Sequence, residues 1–361
     1  MAHIHLAKLS RSTERILTNS FELDSSSKLE STWLQSQAQG AAMQATITIH
    51  KNLHFSSDFG QVAYDLYEPA QVDSSPIIIQ IAHGMIEHKD RYEWVANALA
   101  QKGYIIAVSD HRGHGESINS DNGITLGSMG EDGFCRASYD LYKLSCLLKE
   151  RYANARIVLL GHSMGSLLAR RYTSLYRYSE ALSALILSGS PAFDENLKYG
   201  ITLAKLLRFF GAKSFGQKFF TNTLFGGFNK QFKKDLPAGL GWLCSNEAVR
   251  QAYKDDPKCQ FHFDIESFLH LFMGMQEVYG TYPSPKNAHL PILFVSGSDD
   301  ASGHFGTGVK KARDHLESQG FDDVNILLYK DARHEVLNEP IKEQVIADIL
   351  LWLESKGLSR G

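Results

Sequence analysis

The chain has 361 residues, and 37 Lys and Arg against 40 Asp and Glu leave a formal net charge of −3. This length suits one large domain or a core with an insertion, and 43% hydrophobic against 21% charged residues excludes a disordered or fibrous chain. The near-neutral balance gives no electrostatic basis for a nucleic-acid partner.

Residues 1–42 are rich in Ser and Gln and hold no sustained period of 2 or 3.6. They are expected to form a loosely ordered N-terminal extension with a weak helical pattern over Glu30–Gln37. Met43 is an alternative start, because strand pattern begins directly after it. Ala45–His50 and Gln61–Tyr67 alternate with period 2, as half-exposed antiparallel strands do. Pro76–Ala82 is a nearly continuous apolar run, the pattern of a strand buried on both faces. A helix over Arg91–Lys102 follows, with Trp94, Val95, Ala98 and Leu99 on one face and Gly103 as its stop. Tyr104–Ser109 reads as a buried strand, Ser138–Arg151 as a helix, Arg156–Leu160 as a strand and Ser163–Tyr176 as a helix. Leu182–Ser188, Pro291–Ser296 and Val324–Tyr329 read as strands, and Pro340–Lys356 as a closing helix with its proline in the first turn. Strands alternating with helices predict an α/β fold, a mostly parallel sheet covered on both faces, built from residues 43–192 and 287–361.

Residues 193–286 break that alternation and hold 13 of the 20 Phe residues. They are expected to form a helical cap, with most Phe packed inside it and a minority lining an acyl-chain pocket. Asp194–Asp235 carries eight Lys and Arg against three Asp and Glu, which suits a solvated face or contact with an anionic head group or membrane surface.

The strongest local signal is Gly161-His-Ser-Met-Gly165, set between an apolar run and an amphipathic pattern, the strand–turn–helix context of a nucleophile elbow. Positions two before and two after the serine leave no room for a Cβ, and Gly161 and Gly165 meet that demand. The turn lifts Ser163 Oγ clear of the backbone. A serine hydroxyl needs a base, and the base needs an orienting acid, in chain order Ser, Asp or Glu, His. Asp299 and Asp300 lie just past one late strand and His334 just past the last, so Ser163, Asp300 or Asp299, and His334 can converge on one sheet edge. Asp300 is the favoured acid. His83-Gly84 after the buried strand positions an oxyanion hole from the backbone N–H groups of Met85 and Met164.

These pieces resemble the monoacylglycerol lipase and lysophospholipase branch of the α/β-hydrolases, often grouped with serine aminopeptidases. The matching motifs are His83-Gly-Met-Ile-Glu-His88, Arg91-Tyr92, Asp110-His-Arg-Gly-His-Gly115, Gly161-His-Ser-Met-Gly165, Gly297-Ser-Asp-Asp300 and Arg333-His-Glu335, spread over residues ~60–355 in the family's order. The family's G-x-x-D motif aligns on Asp300. Ile86 stands where many relatives carry Gly. Within the insertion, Phe225-Gly-Gly-Phe-Asn-Lys230, Gly241-Trp-Leu243 and Tyr253-Lys-Asp-Asp-Pro-Lys-Cys259 are similar to a bacterial lysophospholipase-like subgroup. The resemblance implies an α/β-hydrolase fold with a helical cap, a Ser163–His334–Asp300 triad, and Asp110–Gly115 as a structural turn. Glu87 and His88 are read as bracing the oxyanion loop, and Gly303–Gly308 as the turn into a helix.

The expected activity is serine ester hydrolysis through an acyl-enzyme, on a monoacylglycerol or lysophospholipid, with peripheral membrane contact through the cap. A short-chain carboxylesterase, a thioesterase or acyltransferase, an aminopeptidase with the same triad and a non-catalytic binding protein remain open alternatives. No cofactor is expected. No metal is expected either, since the fifteen histidines are scattered and H-E-x-x-H is absent. Cys135, Cys146, Cys244 and Cys259 form no C-x-x-C pair, which fits a reducing compartment. No apolar run reaches the ~20 residues of a membrane span. The start lacks an apolar signal core, so a cytoplasmic location is expected.

Overall fold

Runs of aliphatic residues that tolerate burial on both faces set the centre of the sheet. The computed structural model describes residues 46–175, 178–232, 240–283 and 287–359, all within the unit Gln44–Gly361. The extension over 1–42 and its helical pattern lie outside the described residues. Eight strands, β1 (Ile47–Ser57), β2 (Gly60–Pro69), β3 (Ile77–Ala82), β4 (Ile105–Ser109), β5 (Arg156–His162), β6 (Leu182–Ser188), β7 (Ile292–Gly297) and β8 (Val324–Tyr329), form one sheet in the order β1-β2-β4-β3-β5-β6-β7-β8. β1 and β2 are antiparallel at one edge, and β3 through β8 run parallel. β3, β4 and β7 are buried at every residue. Gln80, in the middle of β3, donates to the Leu141 carbonyl at 2.9 Å and accepts from Ser145 Oγ at 2.6 Å, so its burial leaves no polar group unmet.

Alternate residues of the strands feed two separate cores, as the two-residue period requires. On one face Ile79, Ile81, Val158 and Leu160 pack against Val95 and Leu99 of α1 (Glu93–Ala100) and Val345, Ile349 and Leu353 of α9 (Lys342–Ser355). On the other, Ile78, Leu159 and Leu185 pack against α2 (Gly133–Arg151), α3 (Met164–Ser174) and α8 (Thr307–Ser318), through Leu141, Leu144, Leu167, Leu168, Val309 and Leu316.

Several element boundaries differ from the sequence pattern: α2 starts at Gly133 rather than Ser138, and α9 starts at Lys342, so that Pro340 precedes the helix instead of lying in its first turn. β1 continues to Ser57 rather than ending at His50, because its register with β2 shifts between His50 and Leu53, where Asn52 has φ 53° and its N–H bonds Asp65 at 2.8 Å. Such a bulge breaks the alternation on which the reading relied. Arg91 and Tyr92 belong to a single 3-10 turn, Lys89–Tyr92, and α1 starts only at Glu93. α3 starts at Met164, since Ser163 itself is not helical.

Between β6 and β7 the described residues form α4 (Leu197–Phe209), α5 (Lys213–Asn229), α6 (Glu247–Asp255) and α7 (Ile265–Val278). Asp264 caps α7 by accepting from the Ser267 N–H at 2.7 Å, and Asn246 caps α6 by accepting from the Ala248 N–H at 3.0 Å. α7 brings Phe268, Leu271 and Phe272 into the same core as α2 and α3, and Phe268 meets the rings of Phe220, Phe263 and Phe272. Phe268→Ala is expected to cost about 3–5 kcal/mol, read by denaturant unfolding. A loss under about 1 kcal/mol would mean that α7 does not share the cooperative core.

Candidate active site

Ser163 sits between β5 and α3 with φ 51° and ψ −119°, a conformation that L-residues rarely adopt. The turn closes because its neighbours are glycines. A Cβ on Gly161 would lie 2.4 Å from the Gly165 carbonyl oxygen, and one on Gly165 would lie 2.1 Å from that of Ala82. The Ser163 N–H bonds the Ser188 carbonyl at 2.9 Å, which fixes the turn to β6.

His334 follows β8, and its Nε2 lies 2.9 Å from Ser163 Oγ. Its Nδ1 lies 3.0 Å from Asp300 Oδ1, beyond the end of β7. With the carboxylate as acceptor, Nδ1 carries the proton and Nε2 is left to accept from the serine hydroxyl. Asp300 is fully buried and also accepts from the Ser302 N–H at 2.9 Å. Asp299 instead accepts from Ser298 Oγ at 3.2 Å, so of the two carboxylates left open by the sequence it is Asp300 that faces the imidazole. Burial by itself would raise the Asp300 carboxyl; the charge and hydrogen bond of His334 and the Gly303 and Ser302 N–H groups outweigh it and hold the group below its ordinary value. Burial by itself would lower His334, and the charge and hydrogen bond of Asp300 outweigh it and raise the imidazole above its ordinary 6.5. His162 packs its ring 4.8 Å from that of His334, and burial, then the charge of His334, pushes it down to about 4.

The loop after β3 approaches the serine from the other side of β5. His83 is fully buried; its Nε2 accepts from the His111 N–H at 3.0 Å, so its Nδ1 donates to the Gly84 carbonyl at 2.7 Å. The Gly84 N–H and the Tyr92 hydroxyl both donate to Glu87. Met85 and Met164 border the same cavity as Ser163, and the Met164 N–H belongs to the first turn of α3, where no intrahelical acceptor exists. Ile86 holds the left-handed conformation that favours glycine, with φ 58°, and the Tyr253 hydroxyl donates to its carbonyl at 2.7 Å. Asp110, by contrast, is spent on its own turn, accepting the N–H groups of Lys89 and Glu116 at 2.8 and 2.9 Å.

Ser163 and His334 open onto a cavity of about 440 Å³. Its walls come largely from the insertion: Leu197, Leu203, Phe219, Phe220, Leu224, Phe225, Phe228, Trp242, Leu271, Phe272 and Met275, with Leu167 from α3. Five of the 13 insertion Phe residues therefore line it. Glu87, Arg91, Tyr253 and Glu335 supply a polar stretch of the same wall. There Arg91 makes a two-pronged bond to Glu335 at 2.6 and 2.8 Å, a bond to Glu87 at 2.5 Å and a stacking contact 4.8 Å above the Tyr253 ring. Burial alone would raise Glu335, and Arg91 holds it below its ordinary value.

Two groups beside the triad residues carried no assigned role in the sequence reading. One is the Arg91–Glu335 pair. The other is Trp242, whose ring lies 4.8 Å from that of His334. Both stand in the quoted motifs, but partners 244 and 92 residues away leave no local pattern. His88, Asp256 and Cys259 gather within 4.8 Å, the arrangement nearest to a metal cluster among the described residues. His88 Nε2 is paired there with Asp256 at 2.7 Å, and burial drives the Cys259 thiol up, which disfavours the thiolate a metal needs.

Residues 74–341 match the family described as serine aminopeptidase, S33. The monoacylglycerol lipase of Mycolicibacterium smegmatis is 26% identical over 296 residues, 82% of this chain and 93% of that protein. The mouse monoglyceride lipase is 24% identical over 291 residues, 79% of this chain and 84% of its own. A thermostable carboxyl esterase from Bacillus coagulans superposes with a TM-score of 0.74 at 26% identity, over 86% of this chain and 99% of the esterase. The monoglyceride lipase of Saccharomyces cerevisiae, at 18% identity and a TM-score of 0.63 over 87% of this chain and 96% of its own, shares the fold. The chain thus belongs to the serine aminopeptidase S33 family, on the monoacylglycerol lipase branch of the α/β-hydrolases, and is a serine hydrolase.

Proposed function

We propose that the chain hydrolyses a single-chain lipid ester, a monoacylglycerol or lysophospholipid, with Ser163 as nucleophile, His334 as general base and Asp300 as its orienting acid. The observation that carries this reading is the continuous Asp300–His334–Ser163 hydrogen-bond chain at a cavity walled by aliphatic and aromatic side chains. His334 takes the serine proton as Ser163 attacks the ester carbonyl. Asp300 keeps the imidazole in the tautomer that can accept and stabilises the cation that forms. The N–H groups of Met85 and Met164 receive the developing oxyanion, each such donor being worth roughly 10²–10³ in turnover. His334 returns the proton to the leaving alcohol, then activates the water that releases the acid. The similarity to monoacylglycerol lipases and to an esterase described in complex with glycerol supports the glycerol-based substrate. A general carboxylesterase is the second reading, favoured by that same esterase. A free-amine substrate is disfavoured, because Glu87 and Glu335 in the cavity wall are both taken by Arg91, and Asp194, the third carboxylate there, is exposed and accepts from the Asn196 N–H.

The exposed aromatics of the insertion fit a lipid surface. Phe209 at 82% and Phe210 at 76% exposure meet ring to ring at 5.2 Å at the end of α4, and Phe215 at 65% follows at the start of α5 beside Phe219, exposed aromatics of the kind that mark an interaction site. The flanking segment is basic, and Phe219 and Phe220 carry the same helix on into the cavity wall. These exposed rings are proposed to seat on anionic lipid at the cavity mouth.

Ser163→Ala is expected to abolish fluorophosphonate labelling and turnover while the protein melts as wild type; full activity in the folded variant would remove the nucleophile assignment. Asp300→Asn should lose about 10⁴ in kcat, and Asp299→Asn should stay near wild type. Esters from C2 to C16, with a monoacylglycerol and a lysophospholipid, separate the two substrate readings, since a short-chain optimum would leave a general carboxylesterase.

The base must be neutral to act, and its pKa is raised. Activity is therefore present above that value and lost as the pH falls through it. The acid limb of kcat/KM should have its midpoint above pH 6.5. A midpoint well below it would contradict the Asp300–His334 coupling.

Replacing Phe209, Phe210 and Phe215 together by Ser should release the protein from phosphatidylglycerol vesicles in sedimentation and leave hydrolysis of a soluble short-chain ester unchanged. Undiminished vesicle binding would exclude these rings as the docking surface.

A further inference from the structure

The histidine loop is held from an unexpected direction. Its own strand, β8, ends at Tyr329, five residues before His334. What grips the loop is the insertion segment Gly241–Ser245. Arg333 Nη1 donates to the Gly241 carbonyl at 2.6 Å, the His334 N–H to the Trp242 carbonyl at 3.4 Å and the Glu335 N–H to the Leu243 carbonyl at 2.9 Å. Glu339, buried to 1%, ties the two segments together: one carboxylate oxygen accepts both the Arg333 N–H at 3.0 Å and the Ser245 N–H at 2.9 Å, and the other accepts from Ser245 Oγ. Three successive loop residues are therefore fixed by an element that lies outside the core sheet.

A ring contact adds to this backbone grip. The Trp242 ring lies 4.8 Å from the imidazole of His334, tilted by 43°. Behind it Phe225 stacks at 5.5 Å with an angle of 19°, and Phe228 packs at 4.9 Å. Trp242 is 6% exposed, so this stack has little freedom to move. His162 covers the imidazole as well, also with its ring at 4.8 Å. The imidazole thus meets two rings, while its two nitrogens bond Ser163 and Asp300.

We propose that Gly241–Ser245 is a clamp that sets the position of His334, with Trp242 as a positioning residue whose ring holds the imidazole in line between Asp300 and Ser163. The idea rests on His334 being the base, as proposed above. It goes further in assigning to the insertion a part in the chemical step and not only in substrate binding. The physical basis is that proton transfer from a serine hydroxyl depends steeply on alignment; a displacement of about 1 Å costs roughly 10²-fold.

A cavity wall and a clamp make different demands on the same residue. If Trp242 only lines the acyl site, truncating it raises KM for long esters and leaves an acetyl ester untouched. If it positions His334, kcat falls for acetyl and long-chain esters alike, with the acetyl KM unchanged. Trp242→Ala is expected to lower kcat on p-nitrophenyl acetate by roughly 10- to 100-fold and to slow fluorophosphonate labelling in parallel. Trp242→Phe, which keeps a flat ring, should recover most of the rate. The low-field proton resonance of the His334 Nδ1–H in the Asp300 hydrogen bond should broaden or shift in the alanine variant and return in the phenylalanine one. Glu339→Ala provides an independent probe, since it removes the shared acceptor of the Arg333 N–H, the Ser245 N–H and Ser245 Oγ and leaves every ring in place; a reduced acetate kcat at constant KM is expected. Wild-type acetate turnover in folded Trp242→Ala or Glu339→Ala would overturn the proposal. His334→Ala separates the two levels: if it stays active, the base assignment itself has failed, whereas an inactive His334→Ala beside an unaffected Trp242→Ala rejects the clamp alone.

Discussion

Three groups with no affinity for one another's neighbourhoods must meet within 3 Å: a hydroxyl after β5, a carboxylate after β7 and an imidazole after β8. Parallel strands make that meeting possible, because their carboxyl ends all finish on one edge. The sheet must then be rigid and dry, which explains why β3, β4 and β7 carry no exposed residue and why the one polar side chain inside β3, Gln80, is fully bonded. The flanking helices, the two cores and the tight turn at Ser163 all serve that convergence. Two of the positive-φ positions shape the site: Ser163 and Ile86 are each held by hydrogen bonds to a neighbouring segment.

Charge is handled in the same economical way. An isolated ionised group in a cavity wall would be strongly disfavoured. Arg91 therefore stands between Glu87 and Glu335, and Glu87 in turn receives the Gly84 N–H. One ion-pair cluster links the loop after β3, the turn before α1 and the loop of His334. Tyr253 extends the linkage into the insertion, placing its ring on Arg91 and its hydroxyl on the Ile86 carbonyl. The polar wall of the cavity is thereby a structural joint as well as a surface that a substrate head group would meet.

Much of this was legible in the sequence, and the remainder shows where local pattern stops. Continuous aliphatic runs identify β3 to β7 because burial on both faces demands them, and the glycines around Ser163 identify the turn because a Cβ has nowhere to go. Asp300 was favoured over Asp299 in the sequence, and the course of the chain after β7 turns Asp300 toward the imidazole while Asp299 accepts from Ser298. The end of β1 was misread because a bulge at Asn52 shifts the alternation by a residue. The start of α1 was misread because Arg91 and Tyr92 are occupied by Glu87 and do not extend the helix. Trp242 looked like one more aromatic of the insertion, since nothing within its own stretch of chain reports a neighbour as distant as His334.

The ladder from Gly241–Ser245 to the histidine loop bears on how such an enzyme can be rebuilt. Caps on this fold invite treatment as interchangeable cassettes, to be grafted from one scaffold to another for a new substrate range. Here the graft junctions would lie at the ends of β6 and β7, yet the excised piece would take with it the acceptors for Arg333, His334 and Glu335 and one partner of Glu339. A donor cap without equivalents would leave the Arg333 guanidinium and the His334 and Glu335 N–H groups without those acceptors, and the loop held from the core side alone. On the proposed clamp, substrate range and turnover would be inherited together, and a chimaera would have to import the strap along with the pocket.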